Sequence, residues 1–155
     1  MTAVPAFRRL YDVSRLPAGG DLEALEASSE EREALARRFG LDALHALTAK
    51  LKIARATAAA IKVSGEARAE IAQTCVLTLE RFGSALAFPV EEVFRTARGG
   101  GGRLQAVEAF DDDGAPLIVG QSIDLGELVA QELGMTIDPY PKAPGAAFEP
   151  PASAG

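Results

Sequence analysis

Leu47-Thr48-Ala49-Lys50-Leu51-Lys52-Ile53 and, after a short break, Ile61-Lys62-Val63-Ser64-Gly65-Glu66-Ala67-Arg68-Ala69-Glu70-Ile71 decide the fold. Apolar residues occupy the odd positions and polar ones the even positions, the period of a strand with one buried and one wet face. The same phase runs on through Cys75, Leu77 and Leu79, so the second stretch predicts one long strand, or two joined at a bend near Gln73. If both odd sets face one interior, opposed positions must sum to an even number. A five-residue loop, Ala56 to Ala60, achieves this and sets Ile53 against Val63, Leu51 against Gly65 and Lys50 against Glu66, so that the core face and a cross-strand ion pair agree.

Outward from this hairpin the signals weaken. Ser84 to Phe94 predicts a third strand through Leu86, Phe88 and Val90, with Pro89 placing it at a sheet edge or bend. Phe7 to Leu16 predicts a strand closed by the turn at Pro17, Gly19 and Gly20, and Leu22 to Ala27 a second. Gly99 to Gly102 break regular structure before a weaker strand, Arg103 to Phe110, and Asp111 to Gly114 mark an exposed turn.

Two helices announce themselves by their caps. Ser28 with Glu31 has the spacing of a capping box, in which each side chain satisfies a backbone N–H of the other residue. That helix should run to about Phe39, with Arg37 and Arg38 at the negative end of its dipole and Gly40 to close it. Asp124 and Glu127 repeat the spacing, Ile123 can staple onto Leu128, and Leu125, Leu128, Val129 and Leu133 form an apolar stripe. This helix must stop before Pro139. The expected fold class is α+β: a mostly antiparallel curved sheet or open barrel of about five to six strands with two main helices. Residues 1–137 form the single domain and 138–155, which hold five of the nine prolines, a Pro-rich C-terminal tail.

Size and composition permit a real core without crosslinks, since a domain of 155 residues withdraws roughly 68–70% of its unfolded surface from water. The lone cysteine, Cys75, can form no internal disulfide and no thiolate metal site by itself, so a reducing, cytoplasmic compartment is expected. No apolar run reaches membrane-span length, no membrane role is expected, and Arg8, Arg9, Asp12 and Arg15 interrupt the place of a signal peptide; the mature protein is expected to begin near Met1.

The net charge of −6 opposes indiscriminate attraction to a polyanion. It is unevenly placed: residues 1–62 carry ten Lys and Arg against eight Asp and Glu, residues 63–155 six against fourteen. Any RNA-facing surface should therefore draw on Arg8, Arg9, Arg15, Lys50, Lys52, Arg55 and Lys62. The plainer account of these residues is a solvated strand face guarded against edge aggregation. His45 as a base for Cys75 is outweighed by Cys75 acting as a small hydrophobe on a buried face. Asp111 to Asp113 lack the spaced ligands of a calcium loop, and Gly99 to Gly102 lack a P-loop ending. The tract Asp138-Pro139-Tyr140-Pro141 sets one aromatic ring between two prolines. It either docks on another protein or covers the sheet of its own chain.

Ala72-Gln73-Thr74-Cys75-Val76-Leu77-Thr78-Leu79-Glu80, Ile123-Asp124-Leu125-Gly126-Glu127-Leu128-Val129-Ala130-Gln131-Glu132-Leu133 and Asp138-Pro139-Tyr140-Pro141-Lys142-Ala143-Pro144-Gly145 resemble the YceD family, also called domain of unknown function 177, in its alphaproteobacterial branch. Arg15-Leu16-Pro17, the Ser-Glu-Glu-Arg helix start and Arg38-Phe39-Gly40-Leu41 are similar too, so that the likeness runs from about Phe7 to Phe148. The resemblance implies a cytoplasmic factor for accumulation of the large-subunit (23S) ribosomal RNA and assembly of the 50S subunit, with no catalytic activity and no cofactor. The implied partners are large-subunit ribosomal RNA or its precursor, or a ribosome assembly protein. Cys75, Asp124, Leu125, Glu127, Asp138, Pro139, Tyr140 and Pro141 are then the family-motif or partner-docking candidates. Many members carry Cys-x-x-Cys at the central motif; here Thr78 stands where the second cysteine would be, which leaves a zinc role unsupported. The rival expectation is an acidic protein-binding adaptor without direct RNA contact, and a hydrolase using Cys75 and His45 ranks last.

Overall fold

The two alternating stretches pair in the register that parity demands. In the computed structural model, which describes residues 6–57, 59–96, 104–106, 117–119 and 121–141, β3 (Ala43–Thr57) and β4 (Ala60–Thr74) set Lys50 opposite Glu66, Leu51 opposite Gly65 and Ile53 opposite Val63. The connection is tighter than the expected five residues. A register shift between Arg55 and Thr57 lets Thr57 pair with Ala60, because one extra residue in a bulge is enough to restore parity.

These strands lie inside a five-stranded antiparallel sheet, in the order β2 (Asp21–Glu26), β3, β4, β5 (Arg81–Thr96), β6 (Leu104–Ala106). The sheet is open, with β2 and β6 at its edges. The long second strand of the sequence reading stops at Thr74, and Leu77 and Leu79 leave the core for the surface. The chain reverses there because the Cys75 N–H donates to the Glu80 carbonyl at 2.8 Å and the Leu79 N–H to the Cys75 carbonyl at 2.8 Å. Closing this knuckle makes Thr74 the partner of Arg81 and starts β5 at once. Pro89 sits opposite Glu66 of β4, at a point where, among the described residues, the other flank of β5 has no strand neighbour, since β6 pairs only with Phe94 to Thr96.

The odd residues of β3 and β4 and the even residues of β5 make one buried face: Leu47, Leu51, Ile53, Ile61, Val63, Ile71, Phe88, Val90 and Phe94 are at most 4% exposed. Two helices cover it. α1 (Ser29–Phe39) packs on β3 through Leu35 and Ala36, and α2 (Leu125–Thr136) packs on β5 and buries Leu125, Leu128, Val129 and Leu133. Both caps form where the sequence places them, the first as a reciprocal capping box ended by left-handed Gly40.

A second, small sheet orders β1 (Leu10–Asp12), β8 (Ser122–Asp124) and β7 (Ile118–Val119), with β8 in the middle. The strand expected over Phe7 to Leu16 is thus only three residues long: Asp12 caps a 3₁₀ turn, Val13–Arg15, instead of continuing it. The architecture is α+β, as expected, with the strands divided between two sheets. Gly99 to Gly102, Asp111 to Gly114 and the tail beyond Pro141 lie outside the described residues.

Candidate functional site

The basic residues singled out from sequence do not assemble into one patch. Arg9 is committed: its guanidinium holds both Glu31 oxygens at 2.6 and 2.7 Å, bonds the Glu26 carbonyl at 3.0 Å and lies 4.8 Å from the centre of the Phe7 ring. The Arg9 fork, opposed by partial burial and aided by the Ser28 N–H, pulls the Glu31 carboxyl down to about 2, and Arg9 itself is raised by the same bond. Arg8 reaches Asp124 at 3.3 Å. Arg15 is exposed at the end of the 3₁₀ turn. Arg55 has the parity of the buried face and is exposed only because it lies at the hairpin tip.

Lys50, Lys52 and Lys62 do share the wet face of the sheet. Their neighbours there are of both signs. Lys62 pairs with Glu91 at 3.6 Å, Arg68 with Glu66 at 3.2 Å, and Glu26 and Glu70 are exposed on the same face. Ala24, Glu26, Thr48, Lys50, Glu66 and Arg68 border a shallow hollow across β2, β3 and β4. Strand parity already places Glu66 opposite Lys50, whereas nothing in the sequence marks Arg68 as the cation that Glu66 takes.

The motif Asp124-Leu125-Gly126-Glu127 turns inward. Asp124 and Glu127 are fully buried and Leu125 nearly so. One Asp124 oxygen accepts the Glu127 N–H at 3.1 Å and the Arg9 N–H at 2.9 Å, while the Leu125 N–H donates to the Arg9 carbonyl at 2.8 Å. The Asp124 side chain therefore caps α2 and ties down the N-terminal segment together. Gly126 is what lets that segment come so close: a Cβ there would stand 2.6 Å from the Phe7 carbonyl oxygen and 2.9 Å from the Arg9 nitrogen. Glu127 does not close a capping box. Its two oxygens take the Arg38 fork at 2.9 Å each, and Gln131 donates to one of them at 2.9 Å. Arg38 and Glu127 are 89 positions apart, so nothing local in the sequence foretold the pair.

The remaining candidates meet at the other end of α2. Cys75 is fully buried at the start of the knuckle, and its sulfur accepts the Thr78 N–H at 3.5 Å. His45 is exposed in the irregular part of β3, where its carbonyl accepts an Arg32 N–H. Thiol and imidazole thus face different surroundings. The Asp138 to Pro141 tract lies against the knuckle: Gln73 donates to the Asp138 carbonyl at 3.1 Å, and the Val76 N–H to the Pro141 carbonyl at 2.9 Å. The Tyr140 N–H bonds the Asp138 carboxylate at 2.8 Å, and its ring is left 71% exposed. Of the two fates open to this tract, packing on its own chain is what the backbone does, while the ring points away. Val76, Leu77 and Leu79 are exposed beside it. The alternation that assigned Leu77 and Leu79 to the core could not register the reversal at Cys75.

No helix among the described residues is long and apolar enough to cross a membrane, and those residues contain no cluster of three or more His, Cys, Asp or Glu side chains placed to hold a metal ion. Residues 63–155, more than half of the chain, match the family model described as Large ribosomal RNA subunit accumulation protein YceD. The span opens at Val63 in β4 and takes in the knuckle, α2 and the Asp138 to Pro141 tract. No curated protein and no solved structure matches the chain.

Proposed function

The chain belongs to the YceD family, and from that premise we propose that it is a non-catalytic cytoplasmic factor for accumulation of large-subunit ribosomal RNA that works in 50S assembly by holding an assembly protein. The charge on the wet sheet face carries the preference for a protein contact. Lys50, Lys52, Lys62 and Arg68 stand there among Glu26, Glu66, Glu70 and Glu91, and alternating signs attract a polyanion far less than a basic stripe does. No Phe, Tyr or Trp lies among the described residues of that face for a base to stack on. Removing the gene should lower large-subunit RNA relative to small-subunit RNA and reduce 50S particles on a gradient. A tagged chain should keep its partners after nuclease treatment.

A second possibility, direct contact with ribosomal RNA, is favoured by one observation. Lys50 and Lys52 project from the same face two residues apart, beside Arg68 and the shallow hollow. In that case affinity for a large-subunit RNA fragment falls steeply with added salt, and the partners are lost on digestion. A flat salt response removes it.

A further inference from the structure

We propose that the knuckle between β4 and β5, together with Tyr140, is a docking surface for a lysine- and arginine-rich protein segment carrying apolar anchors. This rests on the protein-contact form of the function and names the site and the chemistry of the partner. Val76 and Leu77 are 45% and 37% exposed, Leu79 78% and Tyr140 71%. The Val76, Leu79 and Tyr140 N–H groups are already bonded, to the Pro141 carbonyl, the Cys75 carbonyl and the Asp138 carboxylate, and Leu77 sits inside the turn that the Cys75 N–H closes on the Glu80 carbonyl. Little ordering is left to occur on binding, and an aromatic ring with aliphatic neighbours is the usual centre of a protein contact. Leu79 adds a separate reason. Its φ of +63° makes it the one described residue other than glycine in the left-handed region, where a side chain is disfavoured, and its side chain gains almost no burial inside the chain in return. Strain kept without internal packing points to an external contact.

Charge selects the partner. Asp42, Glu80 and Asp138 are exposed on the knuckle and the segments bonded to it, and Glu132 lies in the last turns of α2. That helix has no basic residue in its last turn, so the negative end of its dipole is uncompensated by its own side chains on the same side of the molecule. Arg81, exposed at the start of β5, stands beside Glu80, and in the sequence Lys142 follows Pro141. Such a rim repels nucleic acid and a second copy of this acidic chain, and it attracts a cationic segment whose leucine-like side chains cover the ridge.

The test is a titration of the full ¹⁵N-labelled chain with a short synthetic peptide of lysines and arginines carrying two leucines. One control peptide replaces its basic residues with glutamate and another its leucines with serine. The expected shifts concentrate at residues 76–81 and Tyr140, with affinity about tenfold or more above either control. Leu79→Gly with Tyr140→Ser should lose about tenfold or more of it while the rest of the spectrum stays unchanged. Shifts confined to the wet sheet face, equal binding of the glutamate peptide, indifference to the double variant, or dimerisation through the same residues each overturn the proposal. In cells lacking the chain, the double variant should fail to restore large-subunit RNA, and full restoration also overturns it. Unchanged RNA after deletion instead removes the functional premise, leaving the titration to decide the surface by itself.

Discussion

The two ends of α2 handle polar and apolar groups in opposite ways. At the N-terminal end two carboxylates, Asp124 and Glu127, are fully buried, and each is met by backbone N–H groups or an arginine fork. At the C-terminal end the knuckle turns Leu79 and Tyr140 out to solvent. Buried charge is tolerated only when every lone pair is met, so the first end is closed and has no surface left to offer. Exposed apolar groups on rigid backbone are the reverse. Two motifs that look equivalent in the sequence thus do different work: the Asp124 to Glu127 motif joins the N-terminal segment, α1 and α2, and the Cys75 to Glu80 motif builds a surface.

The sharpest way to break this contrast is Glu127→Ala, which leaves the Arg38 fork without its carboxylate in a mostly buried place. The expected loss is roughly 3 kcal/mol of unfolding free energy, read from urea midpoints, with Arg38→Met restoring part of it. A loss below about 1 kcal/mol would show the closed end to be no more demanding than a surface ion pair. Next, Gly126→Ala pushes a methyl against the Phe7 carbonyl and should cost about 2 kcal/mol, with hydrogen exchange rising first in residues 7–12.

A smaller effect is tied to pH. The Glu31 carboxyl is lowered from 4.5 to about 2 by Arg9, so its contribution is full above pH 4.5 and is lost as the pH falls through 2. Wild type should exceed Glu31→Gln by on the order of 1 kcal/mol at neutral pH, the partial exposure of the pair reducing it. The gap should close between pH 4.5 and 2; a constant gap would assign the effect to packing. The smallest and opposite effect belongs to the knuckle. Leu79→Gly relieves the left-handed leucine and should leave stability unchanged or raise it by up to about 1 kcal/mol, and Tyr140→Ala should stay within about 0.5 kcal/mol. A large loss from either would make the knuckle a structural element like its counterpart.

What could be read from the sequence follows from range. The β3–β4 register, the Ser28 capping box and the Asp124 cap depend on parity or on contacts three residues apart, and each stands where the spacing put it. The brief N-terminal strand was overestimated because its pairing partner, β8, lies more than a hundred residues away. The basic residues are legible in the sequence as charges, and parity puts Lys50, Lys52 and Lys62 on one face, but the carboxylates that surround them there are set by neighbouring strands.

By itself, then, the sequence determined the local devices: which face of each strand is oily, where each helix begins, and that the one thiol belongs to the interior, since these need only the alternation of Cβ atoms and the reach of one side chain. Only the tertiary structure decided that Glu127 answers Arg38, that Glu91 pairs with Lys62, and that Leu77 and Leu79 leave the core. Each of these depends on segments brought together across long stretches of chain, and side-chain period carries no information about which partner will arrive.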